Sequence, residues 1–342
     1  MAAEIVAENL ASAHVSAELR AEFEEFLRGC AINQFSDRAK LEITGKDRVR
    51  WLNGMVSNNI RDLPSGRGVY AFLLNPQGHI LGDLYAYNRG ESFLVDTART
   101  QVERVREIFG KYIIMDKVTL NDVTGQLTAL GVTGPQWQSV LRAIGIELPA
   151  LDRLQFAQTA WQGNNVTVVH GGNFPVENCE LWVESNAAPA LLEVLQAAGG
   201  KRISSPALEL LRIASGIPRY GHDIRERDLP QETGQIRALD FSKGCYIGQE
   251  IVERIRSRGA VHRKFSGFHV DGPPPLPGTK IQADGKDAGE ITSAAVLPAP
   301  NSEVSVALGY IRQEAIAGER PVMAGDAQLT LVELPFKEVF SA

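Results

Sequence analysis

Asp240-Phe241-Ser242-Lys243-Gly244-Cys245-Tyr246-Ile247-Gly248-Gln249-Glu250 sets a thiol between two glycines, two residues after a lysine. A nearby lysine favours thiolate, the form that attacks electrophiles or binds metal. Glycines let the backbone turn with positive φ or approach a ligand closely. A tight turn that happens to carry a cysteine accounts for the same residues, so the stretch needs support from elsewhere. A second candidate is Asp83. Strand alternation over His79–Tyr87 places Leu81, Asp83, Tyr85 and Tyr87 on one face, with Ile80, Gly82, Leu84 and Ala86 on the other. A carboxylate among tyrosines is costly in a core and useful in a site. The aromatic face can hold a flat ring, while the acid binds N–H groups or takes protons. A solvated sheet edge or an arginine partner is the plainer account of the same aspartate. His222 and Asp223 lack a second pair at metal-ligand spacing, so hydrogen bonds that fix a turn suit them better.

The elements that must position these residues follow from periodicity. A helix over 17–29 aligns Leu19, Phe23, Phe26, Leu27 and Cys30 on one stripe, which makes Cys30 a core residue. A strand at 40–44 precedes a helix from Asp47 that carries Val49, Leu52, Met55 and Val56 on one side. Strands at 69–74, 79–87 and 92–96 form a meander around the Asn75-Pro76-Gln77-Gly78 and Asn88-Arg89-Gly90 turns. A charged helix over 98–109, strands at 112–119 and 126–133, and helices near 136–144 and 187–198 follow. The mixture predicts an α+β fold. A helix stopped by Gly216 and Pro218 leads into an ordered loop that reaches residue 232. From about Arg263 short strands recur at the spacing of a small antiparallel barrel or sandwich. Arg254, Arg256, Arg258, Arg263 and Lys264 form a basic cluster before it, suited to an anion or to a solvated face.

The 342 residues predict more than one domain. Thirty-five Lys and Arg against 41 Asp and Glu give a net charge of −6, which argues against a general DNA or anionic-membrane binder. No apolar run approaches the ~18 residues of a membrane span. Met1–Val6 lacks the basic start of a signal peptide. Cys30, Cys179 and Cys245 are odd in number and never in CxxC spacing, which points to a reducing compartment and a cytoplasmic location.

Lys243-Gly244-Cys245-Tyr246-Ile247-Gly248-Gln249-Glu250 resembles the KGCYxGQE signature of YgfZ-type proteins, folate-binding relatives of the glycine-cleavage T-protein tied to iron–sulfur cluster assembly and tRNA modification. Leu41–Asn59, Asn75–Tyr87, Arg212–Asp223, Ala288–Ser293 and Ala307–Ile311 resemble further pieces of that family, so the likeness covers nearly the whole chain. It implies interleaved α+β subdomains around a central folate pocket over 1–254, closed by a C-terminal antiparallel β-barrel over 255–342. It implies tetrahydrofolate or a one-carbon derivative as cofactor, with no metal. Asp83 falls where the family's carboxylate faces the reactive edge of tetrahydrofolate. Glu177 falls where a glutamate meets the pterin. Tyr85 and Met55 would be pocket walls, and Arg212 would join the folate site.

The transferase pattern is broken at three points. Leu208 stands where T-proteins carry an arginine, Asp83 stands alone where they carry a pair, and the cysteine octapeptide is foreign to them. The resemblance therefore implies a folate-dependent factor for iron–sulfur client or assembly proteins. Cys245 would act through its thiolate, with Lys243 lowering the pKa. The other expectation is an aminomethyltransferase that passes a one-carbon unit to tetrahydrofolate, with Asp83 handling the proton.

Overall fold

The computed structural model describes residues 14–172, 174–259, 261–300, 302–316 and 321–341, so Met1–Val6 and Asn173 lie outside the described residues, as does the side chain of Arg258. Two sheets pack face to face, with helices on both outer sides, and a barrel closes one end. The five-stranded sheet runs β3 (Arg67–Leu74), β4 (Ile80–Asn88), β5 (Phe93–Ala98), β2 (Arg38–Thr44), β6 (Thr119–Asp122). The six-stranded sheet runs β11 (Lys201–Arg202), β1 (Ala31–Gln34), β7 (Leu127–Thr133), β10 (Asn178–Glu184), β9 (Asn164–His170), β8 (Phe156–Trp161). The chain begins the six-stranded sheet with β1, leaves it to build the other, and returns with β7.

Strand alternation decides what each face of the five-stranded sheet buries. Ala71, Leu73, Leu84, Ala86 and Val95 pack against α2 (Arg48–Met55) and α3 (Val102–Lys111). Tyr70, Phe72, Tyr85, Tyr87 and Leu94 face the other way and meet Ala129, Val169 and Trp182 of the six-stranded sheet. That sheet's far side is covered by α4 (Trp137–Ala143) and α5 (Ala188–Ala197) through Val140, Leu141, Leu191 and Leu195. The space between the sheets is thus walled largely by aromatic rings.

Two expectations change at this level. A bulge lies where the β3–β4 register steps from Leu73↔Gly82 to Leu74↔Ile80. An extra residue at a bulge reverses the alternation on one side of it. Ile80 therefore packs with the tyrosines, and Leu81 packs on the helix side. The strand expected over 112–119 is a loop up to Thr119, with Ile114 and Met115 exposed. Its residue types suit a strand, but β6 pairs only from Thr119 onward, as Thr119↔Thr44.

The C-terminal strands close into the barrel β12 (Arg263–Asp271), β15 (Ser302–Arg312), β14 (Lys286–Ala299), β13 (Lys280–Ala283), β16 (Val322–Ala324), β17 (Ala327–Val332). Phe265, Leu308 and Tyr310 join Leu210, Leu211 and Ile213 of α6 (Ser205–Ala214) in one core. The resulting α+β architecture with a closed antiparallel barrel is the one the sequence predicts.

Candidate functional site

Asp83 sits half-buried in β4, held by Tyr70 and Gln101. The Tyr70 hydroxyl donates to its Oδ2 at 2.6 Å. The Gln101 side chain grips it twice, donating Nε2–H to Oδ1 at 2.7 Å and accepting the Asp83 backbone N–H at 3.0 Å. Burial and the nearby Asp83 charge push the Tyr70 phenol well above its ordinary range, so it remains a donor. A carboxylate offers about four acceptor sites, and these two bonds occupy half of them. The carboxylate is held in place yet retains capacity.

The aromatic wall continues from it. The Tyr70 and Tyr85 rings are 4.9 Å apart and tilted, Tyr85 and Tyr87 are stacked at 6.2 Å, and Trp182 meets Tyr87 edge-on at 4.8 Å. Between the sheets lies a cavity of about 110 Å³ lined by Phe35, Arg38, Tyr85, Tyr87, Phe174 and Glu180, among others. Arg38 bonds Asp96 at 3.0 Å and feels the charges of both Asp83 and Glu180. Asp83 itself does not line the cavity; Arg38 and Tyr85, which do, lie between it and the cavity's acid, Glu180, in charge terms. Glu180 accepts the Trp182 indole N–H at 2.8 Å. Burial, then Asp96, raise its carboxyl above the ordinary range against the pull of Lys40, which suits it to holding a proton. Asn33 is buried at 7% exposure, and neither atom of its amide has a hydrogen-bond partner among the described residues. Its Oδ1 lies over Gly131, a lining residue where an added Cβ would stand 2.4 Å away.

The other expected site residues lie elsewhere. Glu177 is two-thirds exposed, outside this cavity, with its carboxylate 3.4 Å from His170 Nε2. Glu180 stands in the cavity instead. It is three residues further on, inside β10, where the pleat turns it toward Tyr87 and Trp182. The acidic residue within Glu-Leu-Trp-Val was the available signal for it. Met55 is 4% exposed in the core between α2 and the sheet. It packs on the sheet face opposite Asp83 and walls no part of the cavity.

Arg212 is also absent from the cavity. Its Nε–H donates to Glu209, Nη1 to Asp223 at 2.8 Å and to the Ile217 carbonyl, and Nη2 to Glu209 and to Ser293, both at 2.8 Å. Arginine has five N–H donors, and all five are used. Asp223, fully buried, accepts further bonds from Thr292, Ser293 and the Arg219 backbone. The Arg212–Asp223 stretch and the Thr292-Ser293 pair are therefore two halves of one clamp between α6 and the barrel. The turn-fixing role expected of Asp223 is part of this network.

The cysteine loop is fastened from beneath. Lys243 is 7% exposed, and its Nζ donates at 2.6 Å to each of three carbonyls, Asn53, Val56 and Asn58, at the end of α2. Burial pushes its ammonium down to about 7, against the pull of Asp240. The expectation that Lys243 serves the thiol is corrected: its three N–H groups are directed to backbone carbonyls, and it anchors the loop. Tyr246 is buried below the Lys243 Nζ, which lies 4.9 Å from its ring centre. Gly248 (φ +83°) starts α7 (Gln249–Arg258), and a Cβ there would stand 2.6 Å from the Asn75 carbonyl. No other residue suits both that φ and that contact. Cys245 is exposed between these anchors, whereas Cys30 and Cys179 are buried. Burial, then Glu25, push the Cys30 thiol up to about 12, and burial also raises Cys179, so both stay protonated and inert. No helix among the described residues is long and apolar enough to cross a membrane.

Known proteins resemble this chain along both of its parts. Residues 6–243 match the GCVT N-terminal domain, and residues 259–335 match the CAF17 C-terminal beta-barrel domain. An aminomethyltransferase of Rubrobacter xylanophilus is 27% identical over 94% of this chain and 86% of its own length. The tRNA-modifying protein YgfZ of Yersinia enterocolitica is 30% identical over 66% of this chain and 67% of its own. The crystal structure of glycine cleavage system aminomethyltransferase T from Bartonella henselae superposes with a TM-score of 0.83. That match covers 99% of this chain and 98% of the other at 18% identity, a likeness of fold. With well over half its length in the first match and its barrel in the second, the chain belongs to the GCVT domain family, in the branch that ends in a CAF17-type barrel.

Proposed function

We propose that the protein binds tetrahydrofolate or a one-carbon derivative between its two sheets and supports the assembly or repair of iron–sulfur proteins through Cys245. The observation that carries this reading is a pair of half-satisfied polar features beside an aromatic wall. Asp83 keeps free acceptor sites, and the buried Asn33 amide has no partner among the described residues. A reduced pterin is flat, with N–H donors and ring acceptors along its edge, and these residues complement it. Tyr85 and Tyr87 would stack on the ring, Asp83 would accept its N–H groups with Arg38 balancing its charge, and protonated Glu180 would donate to a ring acceptor. At about 110 Å³ the cavity is below the roughly 300–1,000 Å³ of small-ligand clefts, so binding a pterin would require its lining side chains to move apart. When bound, the cofactor supplies a one-carbon acceptor or donor; the chain orients it and keeps a proton available at Glu180.

The thiol is the chain's other chemical group. A rigid loop presents Cys245 to solvent, where a partner's cluster, persulfide or disulfide can reach it. The relative named as a tRNA-modifying protein and the CAF17-type barrel favour this reading over transfer chemistry. The aminomethyltransferase relatives support the second reading, and Leu208 in place of the transferase arginine weighs against it. Calorimetry with tetrahydrofolate and with its methylene form tests the binding. No heat from either, with protein that melts cooperatively, would end the proposal. Ammonia released at enzyme rates from folate and an aminomethylated carrier protein would replace it with the transferase reading.

A further inference from the structure

A second cavity, of about 310 Å³, lies where the loop after α6 meets strands β13, β14 and β15. Five basic side chains and three acidic ones line it, an excess of two positive charges. Their pairing is uneven. Arg263 is neutralised by Asp228 at 2.6 Å and by Glu232 at 3.0 Å. Glu290 alone gathers three cations: Arg225 at 2.5 Å, Lys280 at 2.9 Å and Arg227 at 3.7 Å. Among the described residues, Arg312 has only a loose contact of 3.7 Å with Glu314, itself four-fifths exposed. Three cations thus share Glu290, Arg312 stands apart from them on the same wall, and Asp287 is a second carboxylate there. Tyr310, 4% exposed, forms part of the same wall, and its hydroxyl has no hydrogen-bond partner among the described residues. Burial keeps that phenol protonated, and so a donor that lacks an acceptor.

We propose that this cavity is a binding site for a compact polyanion bearing phosphate or carboxylate groups, separate from the cavity between the sheets. Its volume sits at the lower end of the roughly 300–1,000 Å³ of small-ligand clefts. Guanidinium groups are the side chains best suited to such oxygens, because they donate two parallel N–H bonds. Glu290 is the internal competitor: it preorganises Arg225, Arg227 and Lys280 and lowers the affinity for an incoming anion. A water molecule satisfies Tyr310 equally well but gives no account of three cations gathered on one carboxylate with a fourth, Arg312, on the same wall.

Calorimetry on the full chain at low salt, with inorganic pyrophosphate and separately with tricarballylate, tests the site. Saturable one-site binding of either is expected, and the tighter of the two identifies the phosphate or the carboxylate source. The double variant Arg227→Ala/Arg312→Ala should lose roughly tenfold or more in affinity. Glu290→Gln should gain severalfold. Tyr310→Phe should bind more weakly with its unfolding midpoint unchanged, because the lost hydroxyl has no partner among the described residues. Absence of binding by the wild type overturns the proposal. So does equal affinity in the double variant, which would mean an adventitious ion only. Weaker binding by Glu290→Gln or undiminished binding by Tyr310→Phe would contradict the assigned roles and overturn it as well.

Discussion

Arg212 and Asp83 are both ionisable residues in the interior, and both lie in stretches that look chemical in the sequence. They differ in what their hydrogen-bonding capacity is used for. Each N–H of Arg212 meets an acceptor, and Asp223 opposite it is enclosed by hydroxyls and a backbone N–H. Nothing is left for a ligand, so the clamp is architecture. Asp83 is positioned by Tyr70 and Gln101 and retains acceptor sites, one residue-layer behind the lining that Tyr85 and Arg38 form, while the Asn33 amide lies behind the lining residue Gly131. Residual capacity at a fixed position, rather than charge or burial alone, separates a candidate site from a strut.

The comparison breaks first at the clamp. Arg212→Leu leaves Asp223 buried without its counter-charge and Glu209 with Arg219 alone, and such a loss costs about 3–5 kcal/mol. Urea unfolding should show a loss of that size, while the folded fraction should bind tetrahydrofolate with wild-type affinity. A loss below about 1 kcal/mol would mean water enters the network and compensates. A specific loss of folate affinity in folded protein would return Arg212 to the site.

The same network sets the response to acid. Burial pushes the Asp223 carboxyl up, but Arg212 and the surrounding donors outweigh it and hold it below its ordinary 3.8. Glu209 is likewise held below 4.5, with Arg212 and Arg219 overcoming burial. A carboxyl with a depressed folded pKa binds fewer protons when folded than when unfolded. Its contribution to stability is full above the unfolded value and is lost as pH falls through the folded one. Wild-type stability should therefore drop between about pH 5 and pH 2, and Asp223→Asn should flatten that arm. An unchanged slope in the variant would move the origin of the acid sensitivity elsewhere.

How much of this was legible in the sequence depends on range. The α+β order, the meander and the barrel follow from local periodicity and turn residues. The Asp83–Tyr85–Tyr87 face follows from period two, apart from the bulge that moves Leu81 to the helix side. The clamp is a contact between residues about 70 to 80 positions apart, Arg212 and Asp223 with Thr292 and Ser293, and no local pattern records which donor meets which acceptor. Lys243 misleads for the same reason. Two residues from Cys245 along the chain, it donates to carbonyls about 190 positions earlier. Glu180 was hidden as a polar residue in an ordinary strand, and only the pairing of β10 with β7 and β9 turns it toward the cavity.

Asp83→Asn tests the opposite side of the comparison. The amide is isosteric and retains one acceptor, so Tyr70 and Gln101 can stay in place and stability should change by about 1 kcal/mol or less. Folate affinity should fall roughly tenfold or more, as expected for a hydrogen bond to a charged acceptor. Calorimetry together with a thermal melt separates the two effects. A stability loss as large as that of Arg212→Leu, with affinity retained, would make Asp83 a second strut.

The smallest stability change belongs to Cys245→Ala. The thiol is exposed, while Lys243, Tyr246 and Gly248 beneath it hold the loop independently of the sulfur. Exposed substitutions of this kind stay within about 0.5 kcal/mol. Folate affinity should also be unchanged, because none of the residues that wall the cavity belongs to this loop. The effect should appear only in chemistry: rapid alkylation at neutral pH in the wild type, and loss of support for iron–sulfur enzymes in cells that express the variant. Full support by the variant would leave the folate cavity without the thiol as its partner, and the anchored loop would then be a strut like the Arg212 clamp.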